Sequence, residues 1–164
     1  MDRFHRDYHA CDLLSDVLSR GNSSRLFNRL VKEKRIFSDI NAYITGDMDE
    51  GLFVVTGKVS DGVPLQEADA TITQELEKMC SAVIGERELE KVKNKTESTL
   101  VFSEMSIMNK ALNLAIAELM GDAEGVNNEA GKYRAVTASQ VQEVASSIFK
   151  PSNCSTLHYR AIQR

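Results

Sequence analysis

Leu13-Leu14-Ser15-Asp16-Val17-Leu18-Ser19-Arg20-Gly21-Asn22-Ser23-Ser24-Arg25-Leu26-Phe27 is the stretch that decides how this chain is read. Ala10, Leu13, Leu14, Val17 and Leu18 recur at helical spacing and give a helix an apolar face. Asp7 stands where a side chain can cap that helix, and Gly21 supplies a permissive stop. Ser23 or Ser24 then restarts a short helix, with Leu26, Phe27, Leu30 and Val31 inward and Arg25, Arg29, Lys32, Lys34 and Arg35 outward.

Beyond Arg35 the period falls to two. Ile36, Ile40, Ala42 and Ile44 share one side of an expected strand, and Phe37, Asp39, Asn41 and Tyr43 share the other. A turn over Gly46 to Gly51 leads into a second β-rich run, Leu52 to Ser60, and so short a link implies antiparallel pairing. Pro64 suits the first turn of a helix carrying Ala68, Ile72, Leu76, Met79 and Val83. Another helical region opens near Glu86, where Val101, Met105, Met108, Leu112, Ala115 and Leu119 form an apolar stripe that reads as core. Thr137-Ala138-Ser139-Gln140 is a capping box flanked by Val136 and Val141, and Pro151 marks the end of that last helix. From Ser155 to Ala161, Leu157, Tyr159 and Ala161 alternate with Thr156, His158 and Arg160, the pattern of a third strand. The order of elements is that of an α+β domain, an antiparallel β-sheet with helices packed on one face. Three strands are few for so many helices, so the sheet is expected to lack its first strands.

Composition narrows the function classes. A chain of 164 residues fits one core, and no Pro-rich or low-complexity break divides it, so residues 1–164 read as a single domain. Twenty Lys and Arg against 24 Asp and Glu leave a net charge of −4, which offers no broad positive field for nucleic acid. No apolar run approaches the ~20 residues that membrane insertion needs. Cys11, Cys80 and Cys154 are widely spaced and match neither a disulfide framework nor a thiolate zinc site.

The order and spacing of several segments resemble the second domain of zinc peptidases of the insulinase and mitochondrial-processing-peptidase type, the pitrilysin-like family with an inverted HxxEH motif. These segments are Leu13 to Leu18 with Gly21, Ser24-Arg25-Leu26-Phe27, Leu30-Val31-Lys32-Glu33-Lys34, Ala42-Tyr43, Glu88-Leu89-Glu90-Lys91-Val92-Lys93, Arg134-Ala135-Val136-Thr137 and Phe149-Lys150-Pro151. The resemblance implies a metallohydrolase half-domain of the processing-peptidase type, the C-terminal inactive half of a two-domain chamber. Its expected partners are a catalytic domain in the same or another chain, which holds the zinc, and a peptide substrate.

In HxxEH, two His one helical turn apart and a distal carboxylate hold Zn²⁺, while the intervening Glu takes a proton from metal-bound water. This chain has no HxxEH. In His5-Arg6-Asp7-Tyr8-His9 the two His have the helical separation, but Tyr8 occupies the place of the base, and a tyrosine, which ordinarily titrates near 10, does not replace a carboxylate base at neutral pH. No catalytic or metal residue is therefore assigned here, and the domain alone is expected to be inactive. Family members often hold the substrate backbone with an Arg and a Tyr from the second domain. Phe53 to Glu67 contains neither, leaving Tyr159 and Arg160 as candidates by residue type alone. The expected substrate or partner face is Asp39, Asn41 and Tyr43, with Arg25 and Arg29 at its rim. The competing reading is a structural homologue like the core subunits of the respiratory cytochrome complex.

Overall fold

The computed structural model describes residues 1–46 and 48–160. Its centre is helix α1, Tyr8–Ser19, in which Tyr8, Ala10, Cys11, Leu13, Leu14, Ser15, Val17 and Leu18 are all buried. A helix buried over that much of its circumference needs neighbours on opposite sides. Strand β1, Phe37–Ile44, covers one side, and helices α3, Glu86–Ser103, α5, Glu129–Ala135, and α6, Ala138–Ile148, cover the others. Burying Leu13, Leu14 or Leu18 contributes about 1.5–3 kcal/mol each in transfer terms. The helix ends as expected, with Gly21 at φ +89°. Its start differs: Asp7 makes no side-chain capping bond, because its carboxylate faces Arg6 while its own N–H donates to His5 Nδ1.

The segment after Gly21 is a short π-helix, Phe27–Glu33, that buries Leu30 and closes with Arg35 at φ +55°. Strands β1, Phe37–Ile44, and β2, Phe53–Val59, then pair antiparallel, with Asp39 opposite Lys58, Asn41 opposite Thr56 and Tyr43 opposite Val54. Ile36, Ile40 and Ala42 are buried beneath the sheet, as their alternation predicts. Phe37 breaks the pattern. An irregularity between Phe37 and Asp39 shifts the register by one residue, so the Phe37 ring joins Ile40 in the core instead of Asp39 on the outer face. Gly57 makes room for it, since a Cβ there would stand 2.7 Å from Phe37 Cδ1.

Helix α2, Leu65–Ser81, buries Ala68, Thr71, Glu75 and Met79; Ile72 and Leu76 flank this line, half-buried, and Val83 beyond the helix is exposed. Helix α3, Glu86–Ser103, buries Leu89, Val92, Lys93 and Thr96 and no residue beyond Thr96. Helix α4, Ile107–Leu119, buries nothing, and the apolar stripe expected in the core stands in solvent. Two short α-helices follow. These are α5, Glu129–Ala135, and α6, Ala138–Ile148, the latter opened by the full Thr137–Gln140 capping box. Phe149 then packs edge-to-face on Phe53 of β2.

The expected third strand is not formed. Residues 154–160 belong to no helix or strand, and Leu157 and Tyr159 are 92% and 93% exposed. Alternation marks a segment able to extend, whereas a strand also needs a free edge within hydrogen-bonding distance. Ala161 lies outside the described residues.

Because the Phe37 ring fills the space beside Gly57, Gly57→Ala should overpack it and cost about 1–3 kcal/mol. A drop in the denaturant midpoint at constant m-value checks this, and Gly57→Ala combined with Phe37→Leu should recover part of the loss.

Candidate functional site

Two groupings of polar side chains are built by the fold: a seam inside the helical layer and an open face on the hairpin. The seam begins with His9, Asp12 and Asp16, which lie on one side of α1 at spacings of three and four. His9 Nε2 is 2.9 Å from Glu129 Oε1 on α5. The Tyr133 hydroxyl, one turn further along α5, donates to Asp12 Oδ2 at 2.6 Å, and its ring meets the His9 ring edge-on. Asp16 accepts from Arg20 at 2.6 Å and from Thr96 of α3 at 3.0 Å.

Each group is tuned by what surrounds it. The His9 hydrogen bond, helped by Lys132, holds the Glu129 carboxyl down at about 2. Burial, reinforced by the Asp12 charge, raises the Tyr133 hydroxyl above its usual range. Burial also raises Asp16 despite the Arg20 and Thr96 bonds, and pushes the Cys11 thiol up to about 12. A thiol so placed is a packing residue and no nucleophile.

The open face lies on the other side of the hairpin from α1. Asp39, Asn41 and Tyr43 are exposed on β1, Tyr43 at 47%. Asn41 Nδ2 donates to Asp39 Oδ2 at 3.1 Å, so the first two side chains are held as a unit.

The expected rim arginines are engaged within the domain. Arg25 grips both carboxylate oxygens of Glu88 at 3.0 and 2.7 Å and rests on the Met79 sulfur. Arg29, half-exposed, pairs with Glu33 at 2.5 Å and approaches Glu75 at 3.6 Å. Arg160 lies beside residues 62–66 at the start of α2, and His158 Nε2 contacts Asp69 of that helix at 2.6 Å.

The chain belongs to the Peptidase M16 inactive domain family, which matches residues 2–96. It is 26% identical over 153 residues to the zinc protease PqqE of Helicobacter pylori, covering 93% of this chain and 34% of that protein. A solved protease from Helicobacter pylori superposes with a TM-score of 0.85 at 25% identity, over 93% of this chain and 37% of the other. The inactive peptidase domain from Bordetella parapertussis gives 0.83 at 22% identity, over 93% and 83% of the two chains. The chain thus spans about a third of the length of the curated relative it matches.

The zinc in the relative's name invites a test of the donors here. His5 Nδ1 lies 3.8 Å from Asp7 and His9 Nε2 points to Glu129, so the two His pair with different carboxylates rather than converging. Asp12 is taken by Tyr133, and Asp16 by Arg20 and Thr96. Among the described residues no three His, Cys, Asp or Glu are grouped to hold a metal. The seam does not fit zinc. Its members were readable as residue types, but their pairing across 80 to 121 positions left no local signal.

Glu129 gives a pH signature. Its carboxyl sits at about 2 in the folded chain against an ordinary 4.5, so its contribution is present above about 4.5 and fades as pH falls toward about 2. Unfolding free energy should therefore decline over that window, and Glu129→Gln should flatten the decline; an unchanged slope in the variant would contradict the assignment.

Proposed function

We propose that this domain completes the substrate chamber of a zinc metallopeptidase, opposite an HxxEH-bearing catalytic domain that lies elsewhere in its chain or on a partner. The observation that carries the reading is the hairpin. Its inner face is bound to α1, while its outer face presents Asp39, Asn41 and Tyr43 to solvent, with Asn41 bonded to Asp39. Surfaces between such domains are commonly 600–1,500 Å² and rather polar, which suits this face. An extended peptide in the chamber meets hydrogen-bonding groups here that neither cut it nor bind metal. Arg25 and Arg29 serve at its margin by fixing the π-helix against Glu88 and Glu75.

The reading is tested in the full-length peptidase that carries this domain. Asp39→Lys with Asn41→Ala should lower kcat/KM on a peptide substrate about tenfold, or about 1.4 kcal/mol, with zinc content and thermal midpoint unchanged. His9→Gln should leave the zinc content as it was. Activity indifferent to the first pair, or zinc lost with His9, would overturn the proposal.

A further inference from the structure

Three ammonium groups gather on the turn that follows α1. Lys32 Nζ donates to the Asn22 carbonyl at 3.1 Å, Lys91 Nζ to the Ser23 hydroxyl at 3.1 Å, and Lys95 Nζ to the Arg20 carbonyl at 3.3 Å. All three lysines are exposed, and so are Gly21, Asn22 and Ser23. Among the described residues none of the three pairs with a carboxylate. The acids on the neighbouring turns are already taken, since Asp16 holds Arg20 and both oxygens of Glu88 hold Arg25. A carbonyl accepts a hydrogen bond but cancels no charge, and an ammonium has three N–H donors, so each lysine keeps its charge and at least one free donor. Five cations therefore meet two carboxylates around residues 20–24, in a chain whose net charge is −4.

We propose that this turn docks an acidic segment of polypeptide in extended conformation, with carboxylates on alternate residues. Lys91 and Lys95 stand one turn apart on α3, which sets their Cβ atoms about 5–6 Å apart, and same-side side chains of an extended chain recur every ~6.6 Å. Successive Glu or Asp on one side of such a segment meet the two lysines in register. Lys32, reaching the turn from the π-helix with its ammonium 5.3 Å from the centre of the Phe27 ring, supplies a third contact. The charges are strung along the carbonyls and hydroxyl of Arg20, Asn22 and Ser23 rather than aimed at one point, and they are point charges without the fork that grips a single phosphate. An anionic bilayer is a poorer occupant, because a negative chain is repelled by it everywhere outside the patch.

The test uses the full-length protein that carries this domain and a fluorescein-labelled peptide of alternating Glu and Ser, read by fluorescence anisotropy. Exposed ion pairs are individually weak, so Kd should be on the order of 100 μM, and raising NaCl from about 0.05 to about 0.2 M should weaken binding severalfold. Lys91→Gln with Lys95→Gln should raise Kd about tenfold, whereas Lys91→Arg with Lys95→Arg, which keeps the charge, should stay within about threefold of the starting value. Lys110→Gln with Lys150→Gln removes the same charge on α4 and beyond α6, and should leave Kd within about twofold. Should the glutamine pair at 91 and 95 lose its circular dichroism, Lys32→Gln alone carries the test by raising Kd about threefold. Failure of the peptide to bind, an equal loss from the Lys110 and Lys150 pair, displacement of the peptide by inorganic phosphate at concentrations near the peptide's own Kd, or co-sedimentation with phosphatidylglycerol vesicles that Lys91→Gln abolishes would each overturn the proposal.

Discussion

Helix α1 sets His9, Asp12 and Asp16, all half-buried, along the edge of its buried face, and the helical layer behind it gives each of the three a partner. An unpaired buried carboxylate costs several kcal/mol, far more than the ~1 kcal/mol net value of an ordinary hydrogen bond. Tyr133, Glu129 and Thr96 are therefore fixed in place as much by penalty as by attraction. Because Tyr133 and Glu129 lie one turn apart on α5, satisfying α1 also sets the position of that short helix. Arg134 of α5 extends the arrangement to Glu90, Asn94 and Glu97 of α3, and its carbonyl accepts from the buried Lys93 ammonium at 3.0 Å. A helix of seven residues is unstable in isolation, and here polar bonds to two longer helices hold it.

The same logic explains why two motifs distant in sequence belong together. The turn after α1 and the Glu88-to-Lys95 stretch of α3 touch along their length: Arg25 pairs with Glu88, Lys91 donates to Ser23, and Lys95 donates to the Arg20 carbonyl. Gly21 is required by its positive φ; the Lys95 ammonium, 2.9 Å from where a side chain would begin, ends a flexible chain that can move aside. The contacts show that residues carrying the family resemblance are a clamp that closes the α1 turn.

Local chemistry was legible in the sequence. The apolar face of α1, the hairpin, the Pro64 and Gly85 boundaries and the Thr137 capping box each rest on interactions within a few residues. Where a reading depended on distant partners it failed. Ser155 to Ala161 alternates like a strand, but no edge pairs with residues 154–160; the 101–119 stripe has core periodicity, but no element of the described chain covers it. Phe37 is instructive in another way, since a one-residue register shift, invisible to strict alternation, moved an aromatic ring from one face to the other. Of the residues expected on the partner face, alternation placed Asp39, Asn41 and Tyr43 outward correctly. It could not foresee that Arg25 and Arg29 are engaged with glutamates of the same domain.

The rigidity of the junction where α1 meets the helices behind it rests on this seam. That dependence is measured most directly by a double-mutant cycle on Asp12 and Tyr133, using Asp12→Asn, Tyr133→Phe and the pair in equilibrium denaturation. A short, largely buried bond to a charged carboxylate predicts a coupling free energy of about 1.5–3 kcal/mol, with each single variant losing much of that. Additive losses, with coupling indistinguishable from zero, would show that the seam does not organise the fold and would contradict this account.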